Sequence, residues 1–378
     1  MLERKAKEWE VWSNLIDKII YKNNINNNYF ISMDVRRFID ILKSCNVVVM
    51  HDFFIDRIVR VDYTEPDHLF NAIKDKILVG GGSIRGLEQY EIKGGNAVNL
   101  AYALSMLNVR CRLITVADDY GSNILNNAFS SMRNVDLTVI NGKQGYTISL
   151  EFNLNGKIMN VMLSDVGDNA CFGSDKLKGL EHLFKGASCI AVVNWASNAR
   201  GSELASYAFS LENRALHFID PADISGREEE FATMLRACKV DILSINENEC
   251  RLLCKALGLN DHMLPYSYSI GDVINACKGI ASKLSISVDV HTPICSATSY
   301  GGKECYYAKS LNVDPKVATG AGDVWDAGDI VGYLCRLEPY DRLMFANTCA
   351  ALYVKNAMAP RLEDVCKLLE SDEHNSIL

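Results

Sequence analysis

Short apolar segments alternate with amphipathic stretches along the second half of the chain. The apolar segments are rich in β-branched residues and lie at 189–195, 215–221, 240–246 and 286–292. Parallel strands are buried on both faces and are joined by helices, so this alternation is typical of βαβ units. We therefore predict an α/β domain with a mostly parallel sheet.

The first half of the chain departs from this pattern. A buried strand is predicted at 46–50 and continues as extended chain to residue 62. The glycine-rich stretch 74–95 alternates apolar and polar residues, which predicts two or three antiparallel strands, with GGGSIRG as a strand-to-strand turn or a loop over a ligand. Residues 134–165 alternate in the same way. A small β lid is therefore expected, formed mainly by about 57–93 and parts of 134–165.

The first 45 residues carry a different pattern. Apolar residues recur at helical spacing between Trp9 and Ile19, an asparagine-rich run interrupts them, and a second helix is predicted at about 34–44. We interpret residues 1–45 as a helical extension packed on the main domain, which covers 46–378. A separate oligomerisation element is the alternative.

Composition and charge exclude several classes of protein. Of the 378 residues, 48% are hydrophobic and 23% charged, as in globular proteins able to bury a core. The net charge of -8 argues against a nucleic-acid-binding protein, which must neutralise phosphates. No apolar run approaches the ~20 residues that span a membrane, and the charged N-terminal sequence does not resemble a signal peptide. We expect a cytoplasmic protein with no nucleic-acid or membrane partner.

The thirteen cysteines are scattered, and no two form a CxxC pair. Cys250 and Cys254 stand about one helical turn apart, and His262 follows, which is a weak pattern for a metal site. We interpret the cysteines instead as buried apolar thiols of a protein in a reducing compartment.

The segment TGAGD at 319–323 has the composition of an anion-binding loop. Gly320 and Gly322 let backbone N–H groups converge, and the helix predicted to follow adds its N-terminal dipole. Asp323 would then accept a proton from a hydroxyl that attacks phosphorus. The alternative is that Asp323 only caps the helix. No Walker-type GxxxxGK[ST] sequence is present.

Two motifs resemble signatures of the ribokinase-like (PfkB) sugar kinase family. TGAGDVWDAG at 319–328 is similar to the C-terminal signature, and GGNAVNLAYALSML at 94–107 is similar to the N-terminal one. Weaker matches include ADDYG, FIDP, NENE and FANTCAALYVKNA, so the resemblance extends over about 46–372. It implies a three-layer α/β/α fold with a mostly parallel central sheet and a small β lid.

The resemblance also implies roles for the matching residues. Asp323 corresponds to the catalytic base, and Gly320, Ala321 and Gly322 correspond to the anion hole. The residues that would hold acceptor hydroxyls are Asp56, Gly94, Gly95 and Asn99. Those assigned to the nucleotide are Asn246, Thr292, Thr319 and Asn347. The resemblance further implies that Glu249 helps to place Mg²⁺ through water.

Three departures from the family pattern concern the donor side and the helix after the loop. Val317 replaces an aspartate, Trp325 replaces a phenylalanine, and 291–302 lacks the usual flexible glycine-rich pattern after Thr292. The resemblance implies ATP as the phosphate donor, and the changes at Val317 and 291–302 leave ADP or another nucleotide as open alternatives. His291 is interpreted as a strand-end histidine, and Asp326 and Asp329 as a solvated helix face rather than metal ligands.

The resulting hypothesis is a kinase that transfers the terminal phosphoryl group of a nucleotide to a hydroxyl of a small polyol. Sugars, sugar phosphates, nucleosides and inositol are the candidate acceptors, and the resemblance implies a homodimer formed through the lid. The competing hypothesis is a non-catalytic ribokinase-like protein that binds a nucleotide or metabolite. A nicotinamide dehydrogenase has the same sheet class but would require a glycine fingerprint that is not in the required place.

Overall fold

The computed structural model describes residues 35–61, 66–154, 157–260, 263–317 and 319–370. The helix predicted around Trp9 and Ile19, and His262, lie outside these ranges. The described elements are α1 (Val35–Ser44), β1 (Asn46–His51), β2 (Phe54–Val61), α2 (Pro66–Leu78), β3 (Glu88–Gly94), α3 (Asn96–Met106), β4 (Arg110–Ala117), α4 (Asp119–Phe129), β5 (Val135–Asn141), β6 (Gly145–Leu154), β7 (Lys157–Asp165), β8 (Cys189–Val193), α5 (Gly201–Ser210), β9 (Leu216–Asp220), α6 (Glu228–Ala237), β10 (Ile242–Asn246), α7 (Glu247–Ala256), α8 (Ile270–Leu284), β11 (Ser287–His291), β12 (Cys295–Tyr300), β13 (Cys305–Lys309), α9 (Ala321–Leu334), α10 (Pro339–Asn356) and α11 (Leu362–Glu370).

A nine-stranded central sheet has the order β13-β12-β11-β10-β9-β8-β1-β4-β5. The seven strands from β11 to β5 in this order pair in parallel, and β12 and β13 add antiparallel strands at one edge. Successive residues of β1 enter opposite cores: Val48 and Met50 pack with α5, α6, α7 and α8, whereas Val47 and Val49 pack with α3, α9 and α10. The predicted three-layer α/β/α fold with a mostly parallel sheet is confirmed.

A second sheet, with the order β3-β2-β6-β7, forms the lid. Its strand β2 follows β1 after only Asp52 and Phe53, so the lid begins at the carboxyl end of the central sheet. The predicted strand content of 74–95 is wrong in part, because α2 continues to Leu78 and only β3 is a strand. GGGSIRG accordingly joins a helix to a strand rather than two strands.

The helix α2 arises from a helical apolar spacing that the glycines downstream obscure. Leu69 is buried against Val61 and Phe152 of the lid, and Phe70 stacks on Phe152 with ring centroids 6.4 Å apart. The following Gly80, Gly81 and Gly82 all have positive φ, which ends the helix. Tertiary packing of one helical face therefore outweighs the apparent strand alternation.

The helix predicted at about 34–44 is present as α1 and lies on the main domain. Phe38 and Leu42 are buried in the core beside α9 and α10, and Phe38 contacts Phe345 with ring centroids 5.9 Å apart. Within the described ranges, every helix is too short or too polar to cross a membrane.

Candidate active site

The predicted site residues gather where several parallel strands end. Asp52 follows β1, Asp220 ends β9 and Asn246 ends β10. Carboxyl ends of parallel strands share one edge of the sheet, where ligands of open α/β sheets bind. A Cβ on Gly322, in the first turn of α9, would lie 3.4 Å from Cε1 of His291, which ends β11, so the N-terminus of α9 faces the same edge.

The glycine at the start of the anion-binding loop is required by its surroundings. Gly320 precedes α9 with φ +84°, and a Cβ at this position would lie 2.8 Å from the hydroxyl oxygen of Tyr353. No side chain caps α9. The N–H groups of Ala321, Gly322 and Asp323 therefore lack intrahelical partners and can bind an anion, as predicted for a developing negative charge.

Asp323 does not serve as a helix cap. The N-cap residue is Gly320, and the carboxylate of Asp323 accepts a hydrogen bond of 3.0 Å from Nδ2 of Asn99. Asp323 is 6% exposed, and burial, followed by the charge of Asp220, raises its pKa well above the ordinary value. The structure thus places a basic carboxylate beside the unpaired N–H groups of α9.

The residues predicted to hold the acceptor include Asp56 and Gly94, which lie where β2 and β3 pair. A Cβ on Gly94 would lie 2.0 Å from Oδ2 of Asp56, so only glycine allows this carboxylate its place. Gly95 has φ +95°, and a Cβ there would lie 2.8 Å from the carbonyl oxygen of Asp52. Burial raises the pKa of Asp56 to about 6. The side chain of Asp56 can therefore accept hydroxyl hydrogen bonds when it is ionised.

Two further charged residues lie in the site that the sequence interpretation missed. Asp52 is fully buried and accepts hydrogen bonds from the N–H groups of Asn96 and Ala97, at 2.8 and 2.9 Å, at the start of α3. Lys93 reaches inwards from β3, and its Nζ donates to Oδ1 of Asn99 at 3.2 Å. Both residues could have been found from their proximity in sequence to predicted site residues, because Asp52 lies four positions before Asp56 and Lys93 directly precedes Gly94.

The lid contacts the anion-binding loop directly. Nδ2 of Asn160 on β7 donates to the hydroxyl of Thr319 at 2.9 Å, and the hydroxyl of Tyr353 donates to the carbonyl of Thr319 at the same distance. Thr319 therefore links the lid and α10 to the loop. Its predicted contact with a nucleotide stays a prediction.

Two other residues assigned to the nucleotide are engaged in local structure. The hydroxyl of Thr292 closes the β11–β12 turn by donating to the carbonyl of Cys295 at 2.7 Å. The Asn347 side chain accepts from Nε1 of Trp325 at 2.8 Å and donates to the carbonyl of Lys309 at 2.9 Å. Both side chains are at most 9% exposed, so the structure gives them a scaffolding role first.

Asn246 and Glu249 form a capping box at the start of α7. The Asn246 side chain accepts from the N–H of Glu249 at 3.0 Å, and the Glu249 carboxylate accepts from the N–H of Asn246 at 2.9 Å. Glu249 is 5% exposed, and burial followed by the charge of Asp220 raises its pKa well above the ordinary value. Two mutually repelling carboxylates at one sheet edge fit a Mg²⁺ ion held through few protein groups and several waters.

Among the described residues, no group of three or more His, Cys, Asp or Glu side chains is arranged to hold a metal ion. All thirteen cysteines fall within these ranges and are free thiols, most of them buried, in agreement with the prediction. His291 ends β11 as predicted and stacks on Trp325 with ring centroids 4.9 Å apart, and burial lowers its pKa to about 4.

The interpretation of Asp326 and Asp329 as a solvated face is wrong. Both side chains are at most 1% exposed, because α9 packs on the sheet as well as on α3 and α10. Ser244 donates to Asp326 at 2.5 Å, and Arg342 forms a buried ion pair with Asp329. Partners within the core take the place of water at one oxygen, Oδ1, of each carboxylate.

Comparisons with known proteins agree with this geometry. The model of the pfkB family carbohydrate kinases matches residues 59–360. A probable sugar kinase from Rhizobium etli CFN 42 is similar in structure, with a TM-score of 0.67 and 15% identity over 88% of this chain and 98% of that one. Adenosine kinase from Sinorhizobium meliloti has a TM-score of 0.65 and 16% identity over 85% of this chain and 97% of that one.

Ribokinase from Arabidopsis thaliana, solved with ribose and ATP, has a TM-score of 0.63 and 18% identity over 87% of this chain and 99% of that one. No curated protein sequence matches the chain. The TM-scores show a shared fold, and the family match covers most of the chain. A central sheet with a lid, a glycine-bounded anion loop and a matching sequence profile together make the chain a member of the pfkB carbohydrate kinase family.

Proposed function

We propose that the protein is a kinase that transfers the terminal phosphoryl group of a nucleotide to a hydroxyl of a sugar, sugar phosphate, nucleoside or inositol. The observation that carries this proposal is the buried carboxylate of Asp323 within the first turn of α9, whose N–H groups are free to bind an anion. This arrangement supplies the base, the positioning and the charge stabilisation that phosphoryl transfer requires.

In the proposed reaction, Asp56 and the backbone at Gly94 and Gly95 orient the acceptor, and Asp323 takes the proton of the reacting hydroxyl. The hydroxyl oxygen forms a bond to the terminal phosphorus as the bond to the bridging oxygen breaks, and the nucleotide leaves with one phosphate fewer. The N–H groups of 321–323 face the negative charge of the transferred group. Mg²⁺ bound near Asp220 and Glu249 would neutralise phosphate charge.

ATP is the proposed donor, since a neighbouring ribokinase was solved with ribose and ATP. Another, from Cryptococcus neoformans, was solved with ADP, and ADP remains the alternative donor here. The proposed homodimer would use the outer surface of the lid, where Ile148, Val161 and Leu163 expose about half of their side chains. A second copy would remove this apolar surface from water.

The test is a transfer assay that crosses ATP and ADP with ribose, ribose phosphate, nucleosides, inositol and fructose phosphates in the presence of Mg²⁺. We expect one donor and one acceptor class to give phosphorylated product. Asp323→Asn should lower kcat by about 10³-fold, because general-base catalysis typically contributes 10²–10⁴-fold.

The matched control for this variant is Asp119→Asn, which changes an exposed aspartate in the first turn of α4 and should keep wild-type turnover. Near-normal turnover of Asp323→Asn would contradict the assignment of the base. Tight nucleotide binding without product from any acceptor would favour the non-catalytic binding protein.

A further inference from the structure

A half-buried lysine lies next to the proposed catalytic base and has no part in the mechanism above. The Nζ atom of Lys93 lies 4.3 Å from the centroid of the Tyr102 ring and donates to Oδ1 of Asn99 at 3.2 Å. The same amide donates from Nδ2 to the Asp323 carboxylate at 3.0 Å. A continuous chain of two hydrogen bonds therefore joins the ammonium group on the lid to the carboxylate on α9.

The chemistry at each end of this chain fixes the orientation of the Asn99 amide. An ammonium group only donates, and a carboxylate only accepts. The amide must then present its oxygen to Lys93 and its NH₂ group to Asp323. A flipped amide would place its NH₂ group against the ammonium and its oxygen against the carboxylate, and both contacts would be lost.

We propose that Lys93 is a positioning residue for phosphoryl transfer, which holds the Asn99 amide so that it donates to Asp323 and keeps this carboxylate ionised and aimed at the acceptor hydroxyl. The inference rests on the proposed function, because it assigns Asp323 the role of base. It also changes the role of Asn99, whose amide is occupied by two protein partners rather than free for the acceptor.

The surrounding charges determine the sign of the effect. Asp323 faces Asp220, Asp52 and Asp326, and Tyr353 lies beside it on α10. Burial and the first two of these carboxylates raise the pKa of Asp323, whereas the hydrogen bond from Asn99 and the charge of Lys93 lower it. Loss of the Lys93 charge should therefore leave Asp323 protonated up to a higher pH.

Lys93 itself has a pKa lowered to about 8 by burial, against which the charges of Asp323 and Asp56 raise it. Above that pH the neutral amine can accept as well as donate, so the Asp323 carboxylate alone holds the orientation of the Asn99 amide. We therefore expect two limbs in the pH dependence of kcat/KM, one from protonation of Asp323 and one from deprotonation of Lys93.

The experiment measures kcat/KM from pH 5.5 to 9.5 for the wild type, Lys93→Met and Lys93→Arg, with the donor and acceptor found in the transfer assay. Lys93→Met should move the acidic limb up by about one pH unit, a tenfold loss on that limb. Lys93→Arg should keep the acidic limb and lose the alkaline one, because a guanidinium stays charged. Lys143→Met, at an exposed lysine bonded to Asp165, is the control and should match the wild type.

A loss of activity in Lys93→Met with both limbs unmoved would show only a structural role and overturn the proposal. If the wild type transfers no phosphate, the proposed function fails, and NMR then tests the hydrogen-bonded chain alone. The side-chain NH₂ resonances of Asn99, identified by their absence in Asn99→Ala, should titrate near pH 8 in the wild type and not in Lys93→Met. If the Asn99 resonances do not respond to pH, the proposed hydrogen-bonded chain from Lys93 to Asp323 is contradicted.

Discussion

At the scale of single residues, steric exclusion determines the acceptor side of the site. The missing Cβ of Gly94 provides the space that the Asp56 carboxylate occupies. Burial raises the pKa of that carboxyl group to about 6, so protonation of Asp56 begins closer to neutral pH than for an exposed aspartate. One glycine therefore sets both the position and the environment of the group proposed to hold the acceptor.

Gly94→Ala should displace the Asp56 carboxylate, because its Cβ would lie 2.0 Å from Oδ2. We expect the acceptor KM to rise or kcat/KM to fall by about 100-fold, the cost of a misplacement of about 1 Å in an active site. Initial-rate kinetics with the acceptor varied will measure this. Gly271→Ala is the control, because the nearest atom to its Cβ would be 3.6 Å away; equal kinetics for both variants would contradict the steric argument.

At the scale of elements, side chains of the lid contact the loop before α9 and the helix α3. Strand β7 contributes the hydrogen bond from Asn160 to Thr319, and β3 contributes the bond from Lys93 to Asn99. Because β2 continues directly from β1, the lid is anchored at one end and closed over the site by these contacts. Closure of this kind excludes water from a transferred group.

Asn160→Ala should weaken closure of the lid while leaving the base and anion hole intact. We expect the acceptor KM to rise several-fold, in line with the ~1 kcal/mol of one neutral hydrogen bond, and hydrolysis of the nucleotide to increase relative to transfer. Product analysis with and without acceptor measures the ratio. Asn126→Ala, which changes an exposed asparagine on α4, should not change it. An unchanged ratio of hydrolysis to transfer in Asn160→Ala would show that this hydrogen bond does not help to exclude water from the site.

At the scale of the whole molecule, a buried ion network joins the core helices to the sheet. Arg342 on α10 pairs with Asp329 on α9 and with Asp289 on β11, and also donates to the Thr298 hydroxyl on β12 at 2.7 Å. The side chains of Arg342 and both aspartates are at most 5% exposed. Removal of the one cation would leave two carboxylates buried without their counter-charge.

Arg342→Leu should lower the free energy of unfolding by about 3–5 kcal/mol, the typical cost of breaking a buried ion pair. Denaturant unfolding, followed by circular dichroism, measures the change. Arg110→Leu removes the exposed pair with Asp136 and should cost less than about 1 kcal/mol. Similar losses for the two variants would contradict a special contribution of the buried network.

Local sequence patterns were sufficient to predict the fold class and the principal site motif. Apolar β-branched runs alternating with helices specify a parallel sheet. The glycines of TGAGD specify a loop in which the positive φ of Gly320 and the close approach of Tyr353 favour glycine. These features depend on neighbouring residues, so they are visible in the chain itself. The identification of Asp323, Gly94 and Gly95 as site residues followed from the same local patterns and from the family resemblance.

Only the tertiary structure decided features that depend on distant residues. Asn99 and Asp323 lie 224 positions apart, and their hydrogen bond gives Lys93 its place in the site. The helix α2 depends on the packing of one of its faces against the lid. The burial of Asp326 and Asp329 depends on their distant partners Ser244 and Arg342. Burial and pairing across the chain carry no periodic signal, which is why the sequence by itself determined the fold and its motifs but not the charges that surround the base.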